Sequence, residues 1–290
     1  MTREEKIDKL RNLTKAYVLY SQFTKLPYIE CEQASFYDQA FIFETKEDGE
    51  EAAKRLCAQG DICGVAEMNL VPLKLPLSEE KKEEPANTLM RNQVREHLMR
   101  FPTMGLNAVF FKAAGEKGEV LPLDDILPDP VKDQLEQTKN ELSGLQLTGM
   151  YFAQCMRKQQ KDPNQLRECA EEFHANLVRS ELLLPVIPED EHLDDKSLNI
   201  AKCKLPFYPL KQEEGEKPAT LLALFTNMDE VAMHCRKNPK NVRVVRIPFG
   251  DVPQILRDPM IGCVVDPLSF SIAVQKDDIP KLVSDFKKED

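Results

Sequence analysis

The chain has 290 residues, room for about two domains of ordinary size, and its 42% apolar and 30% charged residues are in globular proportion. A net charge of −10 repels phosphate backbones and argues against nucleic-acid binding, and 11 glycines leave little material for glycine-rich phosphate loops. No apolar run approaches the ~20 residues of a membrane span, and the opening Met1–Lys6 leads into an amphipathic stretch rather than a signal-peptide core, so the expected location is the cytoplasm.

In chain order, the first predicted element is a helix over Glu4–Phe23. Leu26-Pro27-Tyr28 follows, and then Ala40–Phe43 reads as a strand. The strand runs into Thr45 and Asp48, whose oxygens suit the unpaired amides of a first helical turn; Ala52, Ala53 and Leu56 then recur at helical spacing. Ile62–Met68 has the pattern of another strand. Ser78–Pro85 is a charge run, read as a solvated insertion near 70–93. Arg100-Phe-Pro-Thr-Met-Gly105 closes a helix, because proline cannot continue it and glycine permits the turn into a strand at Ala108–Lys112. Gly115 to Gly118 has the glycines of a hairpin turn, and Asp124-Asp125-Ile126 the look of a capped helix start.

Val131–Lys158 is predicted as one long helix, with Leu135, Leu142, Leu145 and Met150 on an apolar side and Gly144 and Gly149 weakening it. Asp162-Pro163-Asn164 then opens a helix over Gln165–Ser180, burying Leu166, Cys169, Phe173, Leu177 and Val178 and leaving Glu168, Glu171 and Glu172 outside.

The second half repeats the landmarks of the first. Leu205-Pro206-Phe207, the strand Leu221–Phe225, Thr226 with Asp229, the stripe Val231, Ala232 and Cys235, the strand Val242–Ile247, Arg257-Asp-Pro-Met-Ile-Gly262 and Asp277-Asp278-Ile279 come in the same order. The offset is about 180 residues before the Arg-x-Pro-x-x-Gly pattern and about 157 after it, which places an insertion of roughly 23 residues in the first copy. The expected fold class is therefore α/β (α+β), a mixed β-sheet flanked by helices, duplicated as two modules. Residues 1–128 form a divergent copy with its insertion, 129–160 a linker helix, and 161–290 the second copy.

The eight cysteines, Cys31, Cys57, Cys63, Cys155, Cys169, Cys203, Cys235 and Cys263, include no Cys-x-x-Cys pair, and in the cytoplasm they are expected as free thiols. The four histidines show no zinc-ligand spacing, so no metal and no cofactor is expected. His234 and Cys235 are neighbours on a helix, about 100° apart, which does not make a nucleophile–base couple. The acid pairs at 124–125 and 277–278 are explained by helix capping. Against the overall charge stands a basic stretch of Arg236, Lys237, Lys240, Arg243 and Arg246. Its plain reading is a solvated helix end and strand face; its functional reading is a docking patch for an acidic partner.

The second half resembles the N-terminal domain of the SseB (enhanced serine sensitivity) proteins over about residues 160–288. The residues that carry the likeness are Ser180-Glu-Leu-Leu-Leu-Pro185-Val186, read as a helix end, then Leu205-Pro206-Phe207, Leu221–Phe225 with Thr226-Asn-Met-Asp229-Glu230, Arg246-Ile-Pro248-Phe249, and Ile261-Gly262-Cys-Val-Val-Asp266-Pro267. Relatives in that family typically carry Asn where this chain has Asp266. The resemblance implies a bacterial cytosolic α/β module with no established enzymatic mechanism and brings no catalytic residues. The resulting expectation is a non-catalytic binding or adaptor protein with a protein partner, neither nucleic acid nor membrane. Its candidate interaction surface is Phe225, Thr226, Asp266 and Pro267 at two neighbouring strand ends, with the basic stretch beside them. The alternative is an enzyme whose thiol or carboxylate site is assembled from distant residues. Oligomeric state stays open.

Overall fold

Thr2 starts the first helix, α1 (Arg3–Asn12), through a capping box: its hydroxyl accepts from the Glu5 amide, and the Glu5 carboxylate accepts from the Thr2 amide at 2.7 Å. The helix stops at Asn12, well short of the predicted Phe23. The next element is a strand, β1 (Ala16–Ser21), whose Ala-Tyr-Val-Leu-Tyr-Ser sequence is aromatic and β-branched and is buried at five positions of six. A strand buried on both faces has no alternation to betray it.

This computed structural model describes residues 1–72, 90–137, 142–189, 198–210, 219–236 and 241–287. It divides into two compact units, residues 1–22 with 27–139, and residues 23–26 with 140–290. The charge run Ser78–Pro85 lies outside the described residues. The class is mixed α and β, as expected.

The first unit continues with β2 (Ile29–Glu32), β3 (Tyr37–Phe43), α2 (Lys46–Ala58), β4 (Cys63–Met68), β5 (Leu70–Pro72), β6 (Met90–Asn92), α3 (Gln93–Arg100), β7 (Ala108–Lys112), β8 (Glu119–Pro122), α4 (Leu123–Ile126) and α5 (Asp129–Gln137). Its sheet runs β4-β1-β3-β7-β8, with β2 beside the start of β3. β3 and β7 are parallel, and the other pairs are antiparallel. α2 covers one face through Ala53 and Leu56, which pack with Tyr17, Leu19, Phe41 and Phe43. β5 and β6 pair so that Pro72 faces Met90.

The second unit contains α6 (Ser143–Arg157), α7 (Pro163–Val178), β9 (Glu181–Pro188), β10 (Cys203–Lys204), β11 (Phe207–Pro209), β12 (Thr220–Leu224), α8 (Met228–Cys235), β13 (Arg243–Pro248), α9 (Val252–Ile255), β14 (Met260–Val265), β15 (Ile272–Gln275) and α10 (Ile279–Phe286). β9 lies between β10 and β13, and a second ladder runs β11-β12-β14-β15. Reciprocal bonds between Leu183 and Phe225, at 2.9 and 3.0 Å, tie β9 to the residue after β12. The succession β13-β9-β12-β14-β15, with one parallel pair (β12 and β14) and β11 beside the start of β12, has the order and directions found in the first unit.

Three expectations need correction. The predicted linker helix over 129–160 is two helices, α5 in the first unit and α6 in the second, because α6 packs its buried Leu145, Met150 and Ala153 with its own neighbours. Ser180–Val186 is not a helix end: α7 stops at Val178, and Leu182, Leu183 and Leu184 are buried in β9. The two Arg-x-Pro-x-x-Gly segments also adopt different backbones. In the first unit Pro102–Met104 makes a 3-10 turn and Gly105 ends it at φ 85°, a conformation that favours glycine. In the second unit Asp258–Pro259 is cis and Gly262 sits inside β14, where an added Cβ would come within 2.2 Å of the Val274 carbonyl oxygen. Glycine serves a turn in one and close strand approach in the other. Among the described residues no helix is long and apolar enough to cross a membrane.

Candidate functional site

The parallel strands β12 and β14 are apolar runs covered on both faces: Leu221, Leu222, Ala223 and Leu224 beside Cys263, Val264 and Val265 are all buried. At their carboxyl ends the chain turns polar. The Thr226 amide donates to Asp266 Oδ1 at 2.9 Å, and the Thr226 hydroxyl meets Asp266 Oδ2 at 2.5 Å. The Asp266 amide in turn donates to the Leu224 carbonyl at 2.9 Å, and its carbonyl accepts from the amides of Ser269 and Ser271, both at 3.0 Å. Asp266 has φ 43°, in the left-handed region that Asn and Asp tolerate better than other side chains. This accounts physically for an Asx residue at this position.

Burial, reinforced by the neighbouring Glu230 carboxylate, pushes the Asp266 carboxyl up to about 8, although two hydrogen bonds from Thr226 pull the other way. Asn227 extends the cluster. Its Nδ2 donates to the Thr226 hydroxyl at 3.3 Å, and its Oδ1 accepts from the Glu230 amide at 2.9 Å and so caps α8.

The expected meeting of the two strand ends is therefore present, but not as a contact surface. Phe225, Thr226, Asp266 and Pro267 are all buried. They form a hydrogen-bonded clamp across the parallel pair, and the residues just beyond it are what reach solvent. Met228 is 57% exposed and Leu268 44% exposed, each two residues past the Thr226–Asp266 bond. On α8, Ala232 and Met233 are exposed as well. The helix at the same place in the first unit, α2, presents Glu47, Glu51, Lys54 and Arg55 instead. Sequence reasoning missed Met228, Met233 and Leu268. The available signal was that the methionines of α8 fall off the stripe through Val231 and surround it on more than one side.

At the matching strand ends of the first unit, the carboxylate stands on the other strand. Glu44, just past β3, accepts from the Ala114 amide at 2.8 Å and from Lys9 at 2.6 Å. Burial alone would raise it, but the Lys9 ammonium and the Ala114 amide hold it below the usual carboxylate range.

Of the basic stretch, three members lie among the described residues. Arg236 is exposed at the end of α8; Lys237 and Lys240 lie outside the described residues. Arg243 and Arg246 face Val186 and Leu183 across a regular ladder; three apart on a strand, they point to opposite faces of the sheet. The acid pairs are not side-chain caps. Asp124 and Asp125 lie in the first turn of α4, where Asp125 accepts from Arg3 at 3.1 Å, and Asp278 precedes α10 with no capping bond from its side chain.

Cavities among the described residues offer further candidates. In the second unit a small one of about 130 Å³ is bordered by Pro185, Leu205, Pro206, His234 and Cys235. Burial lowers the His234 imidazole and raises the Cys235 thiol, which keeps both neutral, the reverse of a thiolate–imidazolium couple. In the first unit a groove of about 320 Å³ has Phe43 and Phe110 among its walls, with the 2.6 Å Asp48–Lys112 ion pair at its side. Among the described residues, no group of three or more His, Cys, Asp or Glu side chains is arranged to hold a metal ion. All eight cysteines are free thiols.

No family model matches the chain, and no curated protein matches it. Among solved structures, Tic22 from Plasmodium falciparum is 9% identical, with 87% of this chain and 86% of that one covered, at a TM-score of 0.22. Anabaena Tic22 (protein transport) is 10% identical, with 89% and 88% covered, at a TM-score of 0.18. At TM-scores this low the likenesses carry no argument.

Proposed function

We propose that this chain acts by binding a protein partner in the cytoplasm, through the surface beyond the carboxyl ends of β12 and β14, and that it catalyses no reaction there. The observation that carries this reading is a set of exposed apolar residues on α8 and just past β14: Met228, Ala232, Met233 and Leu268 are exposed, whereas the matching helix of the first unit presents Glu47, Glu51, Lys54 and Arg55. Exposed apolar side chains brought near one another mark interaction sites, and methionine adapts its flexible, polarizable side chain to a partner. The carboxyl ends of parallel strands are also where open α/β sheets place ligands. The resemblance to the SseB family, whose modules lack an established enzymatic mechanism, supports the same reading. The shared strand order supports descent of the two units from one duplicated module.

The test is affinity capture from native cytosol, read by mass spectrometry, with the wild-type chain, a Met228→Asp/Leu268→Asp double variant and a Glu51→Lys control on α2. Polypeptides retained by the wild type and the control should be lost from the double variant. Equal retention by all three overturns the reading. So does a substrate that the purified chain turns over and the Cys235→Ala variant does not.

A further inference from the structure

We infer that Cys155 and Cys169 are a convertible thiol pair, joined into a disulfide across the α6–α7 hairpin when the protein meets a peroxide. Their sulfurs lie 3.2 Å apart. That is inside the ~3.5–4.0 Å of ordinary apolar contact, so one thiol donates to the other, and it leaves about 1.1 Å of closure to the ~2.05 Å of a disulfide. Two cysteines packed merely as small apolar groups have no need of such an approach.

The helices hold the pair in place. α6 buries Leu145, Met150 and Ala153, α7 buries Phe173 and Leu177, and the Phe152 and Phe173 rings stack between them at 5.6 Å. Each sulfur projects from a packed helix, not from a mobile loop, so the separation is a property of the hairpin. Access is unequal. Cys155 is 6% exposed, whereas Cys169 is partly open to solvent, which suits Cys169 to meet an oxidant and Cys155 to resolve it. The bond from Cys155, together with burial, holds the Cys169 thiol above its usual range, with Lys158 opposing. The thiolate, the form that attacks an oxidant, is therefore scarce at Cys169 near neutral pH, which slows the first step.

The chemistry balances with hydrogen peroxide as oxidant. Cys169 sulfur attacks one peroxide oxygen, an S–O bond forms, the O–O bond breaks, and one water leaves with the thiol proton. Cys155 sulfur then attacks the resulting sulfenic acid, the S–S bond forms, the S–O bond breaks, and a second water carries off the Cys155 proton. Two thiols are oxidised by two electrons and one peroxide is reduced to two waters. A dithiol reverses the step by exchange.

The experiment uses the full chain, as isolated without reductant and after hydrogen peroxide, alkylated under denaturing conditions and digested with trypsin. Cleavage after Lys139, Arg157, Arg167 and Arg179 separates the two cysteines into the peptides 140–157 and 168–179. The expected product is these two peptides linked, two hydrogens lighter than their sum, absent after dithiothreitol and absent from Cys155→Ser. Because Cys155→Ser can also disturb the helix interface, a Cys31→Ser/Cys57→Ser variant, lacking the two exposed thiols, is run beside it. It should still form the link, with a thermal midpoint that rises on oxidation and returns on reduction. Recovery of Cys155 and Cys169 both alkylated, after Cys31 and Cys57 of the wild type have been oxidised, overturns the inference. So does linkage of either one to a different cysteine.

Discussion

Replacing Asp266 with asparagine probes the state of the carboxyl buried at the end of β14. An unfolded aspartate titrates near ~3.9, and in the folded chain burial beside Glu230 pushes Asp266 up to about 8. The folded state therefore binds the extra proton between these values. Its stability from this group is fully present below the unfolded pKa and is lost as pH rises toward the folded one, at up to about 1.4 kcal/mol per pH unit. From pH 5 to pH 7 the loss is on the order of 2–3 kcal/mol. Asparagine cannot ionise, tolerates the left-handed backbone at φ 43°, and can still accept from the Thr226 amide, while the Thr226 hydroxyl, which donates to Asp266 Oδ2, can rotate to accept from the Asn Nδ2. The Asn variant should match the wild type only near pH 4 and below, and its advantage should grow by about 2–3 kcal/mol between pH 5 and pH 7. Urea unfolding of both proteins at pH 5, 6, 7 and 8 measures the difference, with amide exchange at Thr226 as the local probe. A difference that does not change with pH would refute the reasoning. So would an Asn variant less stable at pH 7, the mark of a charge-assisted bond to an ionised Asp266.

Gly262→Ala drives a Cβ into the Val274 carbonyl on the neighbouring strand, so the second unit should lose about 1–3 kcal/mol of stability, seen in urea unfolding with an unchanged slope. Asn92→Ala removes the acceptor for the amides of Val94 and Arg95 and the donor to the Leu13 carbonyl. It should cost about 1–2 kcal/mol and speed exchange of the first amides of α3 roughly tenfold or more, by hydrogen-exchange mass spectrometry or NMR.

The interior strands Ala40–Phe43 and Leu221–Phe225 were legible because short apolar runs end at Thr45 and at Thr226-Asn227, side chains that signal a helix start. The strands β1 and β9 were not, for one reason in both places. Tyr17–Leu19 and Leu182–Leu184 are short apolar runs at the end of a helical pattern, and burial on both faces removes the alternation that would separate strand from helix. The Arg-x-Pro-x-x-Gly likeness misled for another. α3 runs to Arg100, whereas α9 is a single turn ending at Ile255, so the same letters meet the strand at a different distance. At the candidate site, parallel neighbours brought Thr226 and Asp266 together as expected. Their burial was hidden, because a polar pair at strand ends reads as surface until Pro267, Ser269 and Phe270 are seen to be buried with them.

The two units solve one local problem in opposite ways. Where a parallel pair ends, amides that have left the ladder need acceptors. In the first unit Glu44 supplies one from the β3 side, and the Lys9 ammonium keeps it charged. In the second unit Asp266 supplies one from the β14 side, fully buried and raised to about 8. A charged clamp needs a counter-ion, which Lys9 supplies to Glu44, and α2 of the same unit presents Glu51, Lys54 and Arg55 to solvent. A clamp held largely neutral near pH 7 needs none, so Met228 and Leu268 can flank it without forcing a buried charge beside an apolar contact. Neutrality at Asp266 and apolarity at Met228 and Leu268 are thus physically compatible features of one site, and ionising the first works against the second.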